Sequence, residues 1–398
     1  MTPVALFRWS AATALAAHAL VLLASDGLYG GGDLKPHLRL IQRMAEEPGL
    51  HSVYAPAYHV LGALVAPVTG LGAYPEWFAW CSLAALIGAF RLFQRTAGLP
   101  DESAALFAWA PYHFALTGCL PKIEAAGYAL ALLGLSLLWR RRHVLAALCL
   151  AATFTVHTAA ALFLGLAGGV LALALRDPRG VLALAAGTLL ALPLPLAHLA
   201  AGCTPAQALL FSQGDYLRAA PRATHLEHWD RILWLANPVA LVAAAFGVRE
   251  LWRAHRPVAV VCALVLVLYL NEAWLAPFGA RTTLDLLRGL TLLAIPVAAA
   301  GGCAIASRQA LSIAVVVACV AVALFANHQV VPRSCISKPI DIGEIAGFDV
   351  DRCAFRWRYH RSEPRRGGSP PLGSSSQAAQ VRPDRRVERA APLERAPQ

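Results

Sequence analysis

Charge is the scarcest thing in this chain. Asp, Glu, Lys and Arg make up 14% of its 398 residues, against roughly 25% in an ordinary soluble domain. Hydrophobic residues make up 58%. Runs of roughly 20 apolar residues recur, long enough to cross a hydrocarbon core of about 30 Å. These runs are continuous and do not alternate with polar positions, which excludes a transmembrane β-barrel. The motifs of soluble chemistry are missing as well: there is no Walker loop, no GxGxxG between a strand and a helix, no HExxH and no serine elbow. The nine cysteines contain no CxxC pair, which leaves no zinc or redox motif. Most of them lie in apolar runs, where a thiol packs as a small hydrophobe. Cys335 and Cys353 differ, because they sit in a polar segment after the last apolar run and could pair in an oxidising compartment. No repeat of fixed period is visible. The class this leaves is an all-α, polytopic integral membrane protein.

The charge that is present has one sign and a clear placement. The net charge is +11, carried largely by Arg-rich turns and a basic C-terminal tail. Such a pattern reads as membrane orientation with a solvated tail and not as nucleic-acid binding. A single Arg precedes the first apolar run and no small-residue cleavage site follows it, so the run reads as a retained helix with a cytoplasmic N-terminus.

One short segment decides the topology. Residues 54–72 are apolar but broken by Pro56, Pro67 and Gly70. If this segment spans, Arg91, Arg95 and Arg140–Arg142 fall outside. If it lies in the interface or re-enters, they all fall inside, as the positive-inside rule prefers. About eleven helices then follow: 7–24, 77–92, 103–119, 125–139, an outward and a returning helix within 144–175 hinged near Thr155–His157–Thr158, 181–201, 232–246, 257–274, 286–304 and 309–326. The C-terminus is extracytoplasmic. The predicted organisation is a membrane domain over 1–326, with a first outer loop at 26–72 and a large outer loop at 202–231. A small tail segment follows at 327–360. A basic, disordered stretch fills 361–398, where Arg, Gly, Ser and Pro dominate.

The first outer loop concentrates candidate chemistry. Asp33 follows three glycines, which let backbone approach a ligand closely. Lys35, His37, Arg39 and Arg43 come next. A helix over 34–45 would carry Leu38, Ile41 and Met44 on its apolar face and Arg39 and Arg43 as a basic stripe. His37, four residues beyond Asp33, would share a face with it. An acid among cations at a membrane surface suits a base that deprotonates a hydroxyl, and the cations suit a phosphate-bearing lipid. The same acid could equally be a solvated loop charge. Lys122 and Glu124 at an outer helix end are either cap and interfacial charges or substrate contacts. His157 within an apolar hairpin is either a packing histidine or a functional group at membrane depth. Arg288 at a helix start is either snorkelling or a phosphate clamp. Arg281 could pair with Asp285 nearby. Asp215, His225, His228 and Asp230 lack the tight spacing of a metal site.

The order of these features resembles the polyprenyl-phosphate-dependent glycosyltransferases of the C superfamily, which include protein mannosyltransferases and aminoarabinose transferases. The stretches that carry the resemblance are GGDLKPHLRLIQRMAEEPG, then YAPAYHVLGALVAP, similar to a proline–tyrosine re-entrant segment, then FRLFQRTAG, LPKIEAAGYALALLGLSLLWRRR, TFTVHTAAALF and LDLLRGLTLLAIPVAAA. The resemblance covers roughly residues 1–326. It implies a multi-spanning enzyme of the inner (plasma) membrane, with Asp33 as catalytic base. The implied substrate contacts are Lys35, His37, Tyr58, His59, Lys122, Glu124, His157, Arg281 and Arg288. The donor would be a polyprenyl-phosphate-linked sugar and the acceptor a lipid, glycan or protein hydroxyl, with membrane lipids around the helices and no nucleic acid. Many members of that family carry a second acid beside the first. Here Gly32 and Leu34 flank Asp33, so no metal and no cofactor is expected. The competing readings are a transporter or assembly factor without catalysis, and an inactive member of the same scaffold.

Overall fold

A computed structural model describes residues 9–10, 12–17, 34–47, 55–71, 73–113, 123–200, 229–271, 274, 289–306 and 309–329. All of them belong to the compact unit Met1–Tyr359. Asp33, Lys122, Arg281, Arg288, Cys335, Cys353, most of the 202–231 loop and the whole tail lie outside the described residues, as does the side chain of Lys35.

Every element among the described residues is a helix. In chain order they are α1 Leu34–Glu46, α2 Ala57–Thr69, α3 Ala73–Thr96, α4 Asp101–Ala108, α5 Glu124–Trp139, α6 His143–Val156, α7 Thr158–Ala174, α8 Pro178–Ala191, α9 Pro193–Ala200, α10 Trp229–Leu235, α11 Pro238–Ala254, α12 Arg256–Tyr269, α13 Leu290–Ile305 and α14 Gln309–Gln329. Ala73–Thr96 and Pro178–Ala200 are long and apolar enough to cross a membrane. Leu162, Leu166 and Leu173 point outward on α7, as do Leu182 on α8 and Phe246 on α11, the last 81% exposed. Helices that turn leucine and phenylalanine outward in rows present an apolar surface of a kind that a water-soluble monomer avoids.

Proline sets where the helices differ from the expected spans. The helix expected over 103–119 is interrupted after Ala108 and resumes at 111–113, because Pro111 disfavours helical backbone at the residue before it. The helix expected over 181–201 divides at Leu192, where Pro193 cannot donate to the preceding turn. The span expected at 232–246 divides at Asn237, whose φ is 65°. Its side chain then accepts from the Ala240 amide and caps α11.

The helices at the centre alternate in direction. Cβ atoms built on glycines of α5 would meet α7 in parallel register: Gly127 against His157 and Ala160, and Gly134 against Leu164. Between them α6 runs the other way, and α8 runs alongside α6, with Gly187 against Ala147 and Leu150. The chain over 143–174 is therefore a helical hairpin, as expected from the length of the run. Its only non-helical residue at the tip is His157, with φ −158° and ψ 112°. The main core includes Phe90, Phe107, Leu132, Leu164, Val258 and Ala299, and a small second core of Leu38, Ile41, Tyr58 and Tyr74 joins α1, α2 and α3.

The bundle has two polar ends. One carries the starts of α5 and α7 and the second core, and is called the Glu124 end. The other carries the turns after α3, α5 and α7, and is called the arginine end.

Candidate functional site

At the Glu124 end, α1 lies against α2 as its sequence requires. Leu38 and Ile41 are buried, and Leu40 joins them, while Arg43 is exposed and Met44 only half-buried. The expected apolar face is thus present at Leu38 and Ile41, with Leu40 more deeply buried than Met44. Segment α2 has 13 residues, or about 20 Å of helix, with Pro67 inside its last turn. It sits close to its neighbours at Gly62, where a Cβ would run into Ile41 and Tyr74.

This packing brings His37, Tyr58 and His59 together. His37 Nδ1 lies 2.8 Å from His59 Nε2, and the two rings stack at 5.1 Å. A bond between two imidazole nitrogens needs one N–H donor and one bare acceptor. At least one of the pair is therefore neutral. Burial, and then the proximity of His37, lowers His59 well below the usual histidine value. Tyr58 makes edge contacts with both imidazoles. It is held in turn by Tyr74, whose hydroxyl donates to the Tyr58 carbonyl at 2.8 Å, and by Phe78 at 4.8 Å. The three candidates in the first loop and its short apolar segment thus form one clamp across α1, α2 and α3.

Ile123 packs against this second core, and Glu124 begins α5 directly after it. Tyr128 lies one turn further along α5, with its ring 5.9 Å from that of His157. His157 Nδ1 accepts from the Ala160 amide at 3.2 Å and caps α7, which leaves Nε2 as the donor of a neutral ring. Thr158 follows as the first residue of α7. Tyr128 and Thr158 are 1% and 8% exposed. Glu124 Oε2, Tyr128 OH and Thr158 Oγ1 are buried and have no hydrogen-bond partner among the described residues. An orphaned buried polar atom costs about 1–3 kcal/mol.

The arginine end is built differently. Three of its turns close with the same pair of bonds. Arg142 N donates to Leu137 O and Arg141 N to Leu138 O; Asp177 N donates to Ala172 O and Arg176 N to Leu173 O; Leu99 N donates to Gln94 O and Gly98 N to Arg95 O. These are Schellman caps, with the left-handed position held by Arg141, Arg176 and Gly98 at φ 57°, 53° and 69°. Two of the turns are tied together by His143 Nε2 donating to Asp177 Oδ2 at 2.7 Å. That bond, outweighing the burial that opposes it, holds Asp177 below the ordinary carboxylate value. Arg91 donates to both Gln94 and Asp101, at 2.7 and 2.6 Å, and Arg140 donates to Thr96 at 3.0 Å.

Of the candidates that fall among the described residues, His37, Tyr58 and His59 share one cluster, while Glu124 and His157 are joined through Tyr128, one helical turn after Glu124 and with its ring beside His157. Sequence reasoning missed Tyr74, Tyr128 and the second role of Thr158, which it took only for a hinge. Tyr128 could have been found four residues after Glu124, where it is one helical turn away in an otherwise apolar run. Among the described residues no group of three or more His, Cys, Asp and Glu could hold a metal ion.

No family model matches the chain, and no curated protein matches it. Among solved structures it is similar to ArnT from Cupriavidus metallidurans bound to undecaprenyl phosphate, with 14% identity and a TM-score of 0.54, over 77% of this chain. The chain spans 63% of the length of that protein. What the two share is the fold, so the multi-helical architecture implied by the order of loops in this sequence is the fold of ArnT.

Proposed function

We propose that the protein is a membrane glycosyltransferase that moves a sugar from a polyprenyl-phosphate donor to an acceptor hydroxyl. The observation that supports this reading best is the fold shared with ArnT, a protein described bound to undecaprenyl phosphate. In this reading the chain crosses the inner membrane about eleven times, with the arginine end and the N-terminus in the cytoplasm. The Glu124 end and the C-terminus are on the far side. The membrane domain is residues 1–326, its tail segments 327–360 and 361–398, and its catalytic loop 26–72.

Asp33 takes the proton of the acceptor hydroxyl. The oxygen attacks the anomeric carbon, the bond from that carbon to the phosphate oxygen breaks, and the electron pair leaves with the lipid phosphate. Lys122 and Arg288 hold the departing charge, helped by Lys35 and Arg281. A single displacement inverts the anomeric centre. No metal or other cofactor takes part. His37, four residues after Asp33, contacts substrate together with Tyr58 and His59, which hold it on the first turn of α1, and Glu124 and His157 contact substrate from α5 and the start of α7. The acceptor is a lipid, a glycan or a protein.

The test is transfer of radiolabelled sugar from lipid-linked donors in membranes, comparing the natural chain with Asp33→Asn. A general base supplies about 10²–10⁴ in rate, so a loss of at least about hundredfold at equal expression is expected. Full transfer by Asp33→Asn would remove Asp33 from the mechanism.

A further inference from the structure

Three buried polar atoms without a partner among the described residues come from the adjoining starts of α5 and α7. Glu124 Oε2, Tyr128 OH and Thr158 Oγ1 come from two parallel helices that begin side by side, with Gly127 closing the distance to His157. Glu124 is half-buried at the helix end, and Tyr128 lies one turn beneath it, roughly 5 Å deeper. The set is one acceptor that carries charge and two hydroxyls that both donate and accept. A phosphate would be repelled by the carboxylate. A sugar ring offers what the set lacks: several hydroxyls, each able to donate to the carboxylate and accept from Tyr128 and Thr158. We infer that Glu124, Tyr128 and Thr158 form a sugar-hydroxyl subsite. It rests on the glycosyl-transfer reading and adds to it the residues that recognise the sugar, on the donor or on the acceptor.

An orphaned hydroxyl has an unusual signature. Its removal from the unliganded protein relieves a cost, whereas its removal from the complex loses a bond. The experiment therefore measures both on the full chain in lipid nanodiscs. Thermal unfolding is followed without ligand, with undecaprenyl phosphate, and with undecaprenyl phosphates carrying mannose, glucose, galactose or aminoarabinose, for the natural chain, Tyr128→Phe and Thr158→Val. The unliganded variants are expected to melt at or above the natural chain. One of the sugar-bearing lipids is expected to raise the melting temperature of the natural chain beyond what undecaprenyl phosphate does, and both variants to lose that increment. In transfer assays the concentration of donor for half-maximal rate rises about tenfold if the donor sugar is bound here. The same rise in the acceptor concentration marks an acceptor sugar.

Variants that melt lower without ligand and keep the increment would make the hydroxyls structural and overturn the inference. Unchanged increments and unchanged half-maximal concentrations of donor and acceptor in an active natural chain would overturn the inference and leave the transfer reading standing. A natural chain that neither gains stability from any of these lipids nor transfers any of these sugars would overturn both.

Discussion

The two ends of the bundle solve the same problem in opposite ways. Both must finish helices and place polar groups next to apolar ones. At the arginine end the Schellman turns satisfy helix carbonyls from within, Arg91 reaches two acceptors, and His143 bonds Asp177 across two turns. At the Glu124 end one loop position is a single histidine in extended backbone, a histidine pair shares one hydrogen, and four buried oxygens, on Tyr58, Glu124, Tyr128 and Thr158, have no partner among the described residues, against Ser103 Oγ at the arginine end. A polar network closed on itself rigidifies a structure; an open one costs stability until something completes it. The difference teaches that the arginine end is the more nearly closed of the two, and the proposed function puts the substrate at the more open one.

The comparison can be broken most violently from inside the bundle. A Cβ on Gly247 of α11 would run into the Ala300 carbonyl of α13. Gly247→Leu is expected to cost about 3 kcal/mol or more, seen as loss of the monodisperse protein in detergent extracts. Folded Gly247→Leu would mean that these helices are free to separate and that neither end is held by the core.

A smaller effect is expected at the arginine end. Asp177→Asn removes the charge that His143 bonds, at about 1 kcal/mol, lowering the melting temperature by a few degrees. The sign with pH follows from the depressed Asp177 carboxyl. The contribution is present above the ordinary carboxylate value of 3.8 and is lost as pH falls through the lower folded value. Asp177→Asn should therefore flatten the acid limb of a melting-temperature profile, and an unchanged limb would deny the pair its role.

The smallest effect belongs to the histidine clamp. His59 is held neutral by burial, so the unfolded form binds the extra proton. Stability of the α1–α2 contact is full above the ordinary histidine value of 6.5 and declines as pH falls below it. Hydrogen exchange of α1 amides, corrected for intrinsic rates, should rise between pH 7.5 and 5.5, and His59→Phe should remove the dependence. A rise that persists in His59→Phe would place the titration elsewhere.

The sequence made much of this legible. The hairpin tip at His157 followed from basic residues at both ends of a run too long for one helix. The short segment around Tyr58 followed from its prolines, and the face of α1 followed from the spacing of Leu38 and Ile41. The rest depends on long-range contact that no local pattern carries. Tyr128 reads as one more apolar residue of α5 until α7 is beside it, and Thr158 as a hinge until its hydroxyl proves buried. The partnership of His37 with His59 spans 22 positions and needs α2 folded back on α1, which periodicity alone does not specify. Asn237 breaks a span that composition reads as continuous, because a single left-handed residue before a proline leaves no mark on hydropathy.

The most direct measurement of the contrast between the ends is sugar transfer per folded molecule in Glu124→Gln and Asp177→Asn, assayed in the same membranes as the natural chain. Glu124→Gln is expected to lose about tenfold or more in transfer with its melting temperature unchanged or raised, and Asp177→Asn to melt lower with transfer per folded molecule unchanged. Transfer that is retained in Glu124→Gln, or lost in Asp177→Asn, would contradict the assignment of function to one end and stability to the other.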